Sequence, residues 1–173
     1  MRKVRLGISA CLLGQEVRFD GGHKRDRFLT DELGPHVEWV AVCPEVEVGM
    51  GIPREPVQLI RIGETTRMMT TSTGLDYTDR MNEWAQARVE ALVGEDLDGY
   101  VLKSKSPSCG LWNVRVEHAD GSPANDGRGL FASVLLERFP SLPIEEEGRL
   151  ADPHLRNDFL ERVLAYRRLK DRG

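Results

Sequence analysis

The chain has 173 residues, 40% of them hydrophobic and 30% charged, with a formal net charge of −4, and is long enough to bury a core without disulfide support. Both signs of charge are interspersed and no apolar run approaches the roughly 20 residues that span a bilayer, which argues against nucleic-acid binding and against a membrane partner. The basic start Met1-Arg2-Lys3-Val4-Arg5 lacks the apolar run of a signal peptide, and three cysteines are an odd number for a disulfide framework, so the expectation is a cytoplasmic protein with reduced thiols.

Val4 to Ala10 predicts a short buried strand closed by a glycine-containing loop at Gly14. Asp20-Gly21-Gly22-His23 reads as a turn, and Arg27 to Leu33 as a short helix stopped by Gly34-Pro35. Val37 to Val42 is a second strand, followed by a stiff loop from Gly49 to Pro56. Val57 to Ile62 and Thr65 to Thr70, separated by Gly63-Glu64, predict a hairpin. Tyr77, Met81, Trp84, Ala85 and Leu92 recur at helical spacing and predict a helix from Tyr77 to Val93, capped by Asp76 or Thr78. Gly99 to Leu102 is a third strand, Asn125 or Asp126 opens a helix running to Phe139, and Leu142 to Ile144 is a fourth strand. Asp152-Pro153 starts a last helix over 152–171. This alternation predicts one α/β domain spanning 1–173: a mostly parallel open sheet with helices on both faces, Rossmann-like, plus a small hairpin.

Each cysteine falls just beyond a predicted strand: Cys11 after the first, Cys43 after the second and Cys109 in the loop after the third. Strand carboxyl ends of an open sheet converge on one crevice, where ligands bind. One such cysteine reads as a small buried hydrophobe; three at equivalent junctions point to a shared group bound through soft thiolate. No C-x-x-C pair is present, which weakens both a four-ligand zinc site and a thioredoxin-like site. His23 could complete a Cys₃His set, but its Gly-rich surroundings read more simply as a turn. Three scattered thiolates suit a [4Fe–4S] cluster with one iron left open to act as a Lewis acid. Gly14 and Gly110 would let backbone approach such a group.

Glu45 lies two residues beyond Cys43 and is placed either for acid/base work beside the thiols or as a solvated loop residue. Ser104, Ser106 and Ser108 alternate before Cys109, so in an extended chain their hydroxyls would share one face. Lys103 and Lys105 would offset negative charge there, and Ser9 would line the same crevice. The same serines also make a good loop. The basic segment Asp20 to Arg25 has neither phosphate-loop nor dinucleotide spacing and reads as a lid or substrate-orienting segment.

Ser9-Ala10-Cys11-Leu12-Leu13-Gly14, Phe19-Asp20-Gly21-Gly22-His23-Lys24, Cys43-Pro44-Glu45-Val46, Gly51-Ile52-Pro53-Arg54 and Lys103-Ser104-Lys105-Ser106-Pro107-Ser108-Cys109-Gly110 together resemble the thiouracil desulfidase family. The resemblance runs from the first strand to about Leu142, and the segment from Glu145 to Arg168 is similar to longer members in which a further helical domain follows. This sequence is expected to stop short of that domain. The resemblance implies non-redox removal of sulfur from a thiolated pyrimidine such as 2- or 4-thiouracil. Cys11, Cys43 and Cys109 would hold three irons of the cluster, and the fourth would take the thiocarbonyl sulfur. Glu45 would be the acid/base; Ser104 or Ser106 would relay protons or hold the base edge, with Ser9, Lys105 and Ser108 supporting substrate binding. The partner implied is a small thiolated nucleobase, and the oligomeric state is not readable from the residues. The competing reading is a sensor or accessory protein that binds a metal or cluster and performs no chemistry.

Overall fold

The computed structural model describes residues 2–173. Strand β1 (Val4–Ser9) lies at the centre of a parallel sheet, with β2 (Val37–Val42) on one side and β5 (Gly99–Leu102) on the other; β5 in turn pairs with β8 (Ile144–Glu146). The order β2-β1-β5-β8 means that successive crossovers leave β1 in opposite directions, so the switch point of this α/β sheet lies at the carboxyl ends of β1 and β5. Both faces are covered, which is why the strands read as near-continuous apolar runs.

Helix α2 (Thr78–Val93) and helix α3 (Leu130–Arg138) pack on the face presenting Val42, Tyr100, Leu102 and Ile144. Helix α4 (Pro153–Arg172) covers the other face, placing Phe159 and Val163 against Leu6, Ile8 and Val101. Its start follows from local chemistry: Asp152 accepts a hydrogen bond from the His154 backbone N–H at 2.8 Å, and Pro153 occupies the first turn. Gly7 is required by packing, since a Cβ there would lie 2.2 Å from the Tyr100 ring. That ring meets Phe131, which also touches Trp84 at a centroid distance of 5.3 Å.

The predicted hairpin, β3 (Val57–Ile62) and β4 (Thr65–Thr70), forms, with Ile62 opposite Thr65 and Val57 opposite Thr70. It is half of a second sheet completed by β6 (Val114–His118), parallel to β3, and β7 (Pro123–Gly127), antiparallel to β6. The sequence reading missed both, and assigned 125–126 to a helix start. Pro, Asn, Asp and Gly make β7 a poor strand by propensity; it survives as an edge strand, where Pro is tolerated. Sheet two buries Leu59, Met68, Val114 and Val116 against Met81, so α2 is sandwiched between the two sheets. The 27–33 helix is a short π-type segment, Phe28–Leu33.

Helix α3 starts at Leu130 with no side-chain cap. Its first turn is capped by tertiary structure instead: Gly129, Leu130 and Ala132 backbone N–H groups donate to the carbonyls of Gly110, Pro107 and Ser108 at 2.7, 3.1 and 3.0 Å. Strand β8 likewise begins two residues later than Leu142 and runs through Glu145 and Glu146, both buried. Glu145 is paired with Arg149 and Arg162, and Glu146 accepts from the Leu111 N–H at 2.9 Å. Burial raises the Glu146 carboxyl above the usual carboxylate range.

Candidate active site

The carboxyl ends of β1, β2 and β5 open into a cavity of about 270 Å³ lined by all three cysteines. Cys11 sits in a single 3-10 turn, Ala10–Leu13, that Gly14 ends in the left-handed region (φ 88°). Cys43 precedes a four-residue helix, α1 (Pro44–Glu47), and its backbone N–H donates to Glu47 at 3.1 Å. Arg88 on α2 holds the other Glu47 oxygen at 2.9 Å, which anchors this loop to the core helix. Cys109 is fixed by the Ser106 hydroxyl oxygen, which accepts its N–H at 3.0 Å, and by the carbonyls of the same loop that cap α3. Packing and backbone conformation already call for both loop glycines: a Cβ on Gly110 would lie 2.4 Å from Val114, and Gly14 has a positive φ.

All three thiols are free. Burial pushes Cys43 up to about 11, with the nearby Glu45 carboxylate adding to it. The same two causes raise Cys109 further, and burial raises Cys11 against the opposing pull of Arg18 and Lys103. Each of Cys43 and Cys109 is also raised by Cys11. A bound cation would reverse this by stabilising thiolate. Among the described residues no group of three or more His, Cys, Asp and Glu side chains is drawn together tightly enough for a single metal ion. Three thiols facing one cavity are soft donors of the kind that iron–sulfur groups, zinc and copper(I) take. His23 plays no part: it is exposed, and its ring Nδ1 accepts the Arg25 backbone N–H at 3.1 Å. It is the turn residue the simpler reading gave.

Glu45 reaches between two cysteine loops. One carboxyl oxygen accepts from the Ser108 hydroxyl at 2.6 Å, and the other lies 3.9 Å from the Cys43 sulfur. The Ser108 hydroxyl in turn lies 3.1 Å from that of Ser106 and 3.6 Å from the Cys109 sulfur. The serines do not share one face of an extended chain. Residues 104–109 fold into turns, with Lys105 in the left-handed region (φ 62°), and each hydroxyl takes a different direction. Ser104 and Ser106 line the cavity; Ser108 is fully buried behind Glu45 and does not. Its hydroxyl is directed to Glu45. Ser9 lines the cavity, and its hydroxyl accepts the Lys103 N–H at 2.9 Å. Lys105 lines it as well.

Arg18, Phe19 and Arg54 also line the cavity; Phe19 and Arg54 belong to the motifs that carry the resemblance but were given no role, and Arg18 was not singled out. The 17–24 and 51–57 segments are joined over the site by the Arg54 N–H donating to the Phe19 carbonyl at 2.9 Å, and Lys24 N–H donates to the Cys11 carbonyl at 3.0 Å. Arg18, Lys24, Arg54, Lys103 and Lys105 thus face a cavity whose lining carries one carboxylate, Glu45. That surplus of positive charge suits an anionic thiolate-bound group.

An open parallel sheet with soft donors gathered at its switch point defines an α/β protein built to hold a ligand at its strand ends. The chain belongs to the 2-thiouracil desulfurase family, whose sequence pattern matches residues 6–147. A solved structure described as the [4Fe-4S]-dependent thiouracil desulfidase TudS is similar in fold, with a TM-score of 0.67 and 33% identity over 90% of this chain and 97% of that one. The uncharacterized protein YbbK of Bacillus subtilis (strain 168) is 34% identical over 111 residues, covering 60% of this chain and 71% of YbbK.

Proposed function

We propose that this protein is a thiouracil desulfidase that hydrolyses a thiolated pyrimidine to the oxygenated base and sulfide, with a [4Fe–4S] cluster held by Cys11, Cys43 and Cys109. The observation that carries the reading is the convergence of three free thiols and Glu45 on one cavity, in a chain of this family. When bound, the cluster supplies a Lewis-acidic iron for the substrate's sulfur. The net reaction is balanced by one water: the C=S carbon gains the water oxygen and sulfur leaves as hydrogen sulfide, with no change of oxidation state.

The chain's own residues handle the protons. Glu45 is the acid/base, holding a proton at the carboxyl oxygen nearer Cys43 or taking one from the attacking water there. Its other oxygen is pinned by Ser108, which keeps the carboxylate aimed between the cysteine loops. Ser106, within hydrogen-bond reach of Ser108, extends that line to the cavity wall as a proton relay. Ser104, Ser9 and Lys105 bind the base edge, and the walls of Val17, Phe19 and Val57 exclude bulk water from the reacting carbon.

The test is sulfide release from 2- and 4-thiouracil by protein purified without oxygen, with iron and acid-labile sulfide counted on the same sample. Release that tracks the cluster content is expected, and Cys43→Ser should lose both together. A fully loaded cluster without release would instead support the sensor or accessory reading. A Cys43→Ser protein that stays brown and active would overturn the ligand assignment.

A further inference from the structure

Just beyond the fourth strand of the first sheet, Glu147 contacts two of the cavity-lining residues, Lys103 and Ser104. One carboxyl oxygen of Glu147 accepts the Ser104 backbone N–H at 2.5 Å; the other accepts the Ser104 hydroxyl at 3.1 Å and faces Lys103 Nζ at 3.5 Å. Lys103 Nζ closes the arrangement by donating to the Ser104 carbonyl at 2.9 Å and to its hydroxyl oxygen at 3.3 Å. The pair is shielded, with Lys103 17% and Glu147 13% exposed. An ionised carboxylate only accepts, so the Ser104 proton is committed to Glu147. One Ser104 lone pair meets Lys103, and Ser104 itself is one of the residues that line the cavity.

We propose that Glu147 is a positioning residue that fixes Ser104 as a hydrogen-bond acceptor toward the cavity, so that the site reads a ring N–H of the bound heterocycle. This rests on the desulfidase reading for the identity of that heterocycle. A carboxylate held at both oxygens by one residue's N–H and O–H sets the direction of that hydroxyl more firmly than its own rotamer preference could. Glutamine has the same shape but brings an N–H donor to the Ser104 oxygen. The hydroxyl proton then turns to the cavity, where it meets the ring N–H donor to donor, and that mismatch is what discriminates.

The experiment compares cluster-loaded wild type with Glu147→Gln, Ser104→Ala and the double variant. Sulfide release is followed on 2-thiouracil and on its 1-methyl and 3-methyl derivatives, and uracil affinity is titrated on the same samples. Iron content and thermal midpoint report on cluster and fold. Glu147→Gln should keep both, yet raise KM for thiouracil and weaken uracil by about tenfold. The wild-type preference against one of the two methylated derivatives should vanish, and adding the substitution to Ser104→Ala should change nothing further. Retention of KM, uracil affinity and methyl discrimination within about twofold of wild type overturns the proposal, as does full additivity with Ser104→Ala. Wild type that binds uracil but releases no sulfide overturns the desulfidase reading alone, and the uracil titration then decides the role of Glu147. Wild type that neither turns over nor binds uracil overturns both.

Discussion

The two ends of the first sheet treat charge in opposite ways. At the amino end, Asp98 just before β5 is fully buried, and its carboxylate accepts from the Arg2 guanidinium at 2.9 and 3.0 Å, the Arg5 N–H at 2.9 Å and Lys170 Nζ at 2.8 Å. Those partners outweigh burial and hold its carboxyl down at about 2. At the carboxyl end, burial pushes three thiols up, and of the five basic side chains that share the cavity lining with Glu45 only Lys103 is matched to a second carboxylate, Glu147. A buried charge with every lone pair met stabilises the fold; unmatched donors and cations leave interaction energy for something that is not the protein.

If that division is right, substitutions at the two ends should fail in different assays. The largest effect is expected from Glu45→Gln: sulfide release from thiouracil should fall by about 10² to 10⁴, while iron content and thermal midpoint stay near wild type. A Glu45→Gln protein that instead loses its fold would place the carboxylate among the stabilising groups and break the contrast.

Asp98→Ala should do the reverse, costing about 3 kcal/mol in urea unfolding at neutral pH while the turnover of folded protein holds. The same group makes a prediction in pH. Its folded-state value lies below the ordinary carboxylate value of 3.8, so the folded form binds fewer protons than the unfolded one. The stability it contributes, about 2.5 kcal/mol, is complete above roughly pH 4 and is lost as pH falls toward 2. Unfolding free energies measured across that window should be steeper for wild type than for Asp98→Ala. Equal slopes would show that Asp98 is not the group that titrates.

The smallest effect is expected from Lys170→Met. Lys170 bridges Asp96 and Asp98 and lies over the Tyr166 ring at 5.3 Å, and methionine keeps the apolar stem. With Arg2 still paired to Asp98, the loss should be about 1 kcal/mol in the same urea titration. A loss as large as that of Asp98→Ala would mean that Lys170, rather than Arg2, carries the buried charge.

Much of the site was legible before the fold was. Cys11, Cys43 and Cys109 could be placed at strand ends because strand periodicity and turn residues are local signals, and the atoms that bind soft metals belong to the side chain itself. Glu45 was legible through its separation of two residues from Cys43. The serines were named correctly as neighbours but not in their geometry, because turns at 104–109, rather than extended chain, decide where each hydroxyl goes. Ser108 ends behind Glu45 for that reason, and Glu147 was missed because only the β5–β8 pairing brings it to Ser104.

By itself, then, the sequence determined the alternating α/β order, the parallel sheet, the hairpin and the three thiols at its strand ends, since each depends on residues near one another along the chain. Tertiary structure alone decided the edge strand at Pro123–Gly127, the start of α3 and the run of β8 through buried Glu145 and Glu146. Each of these looks unfavourable locally. Each is sustained by a partner distant in sequence: β6 for the edge strand, the Cys109 loop carbonyls for the helix start, and Arg162 and the Leu111 N–H for the buried carboxylates. Backbone and carboxylate groups must be paired when they leave water, and only the folded chain brings those partners within reach.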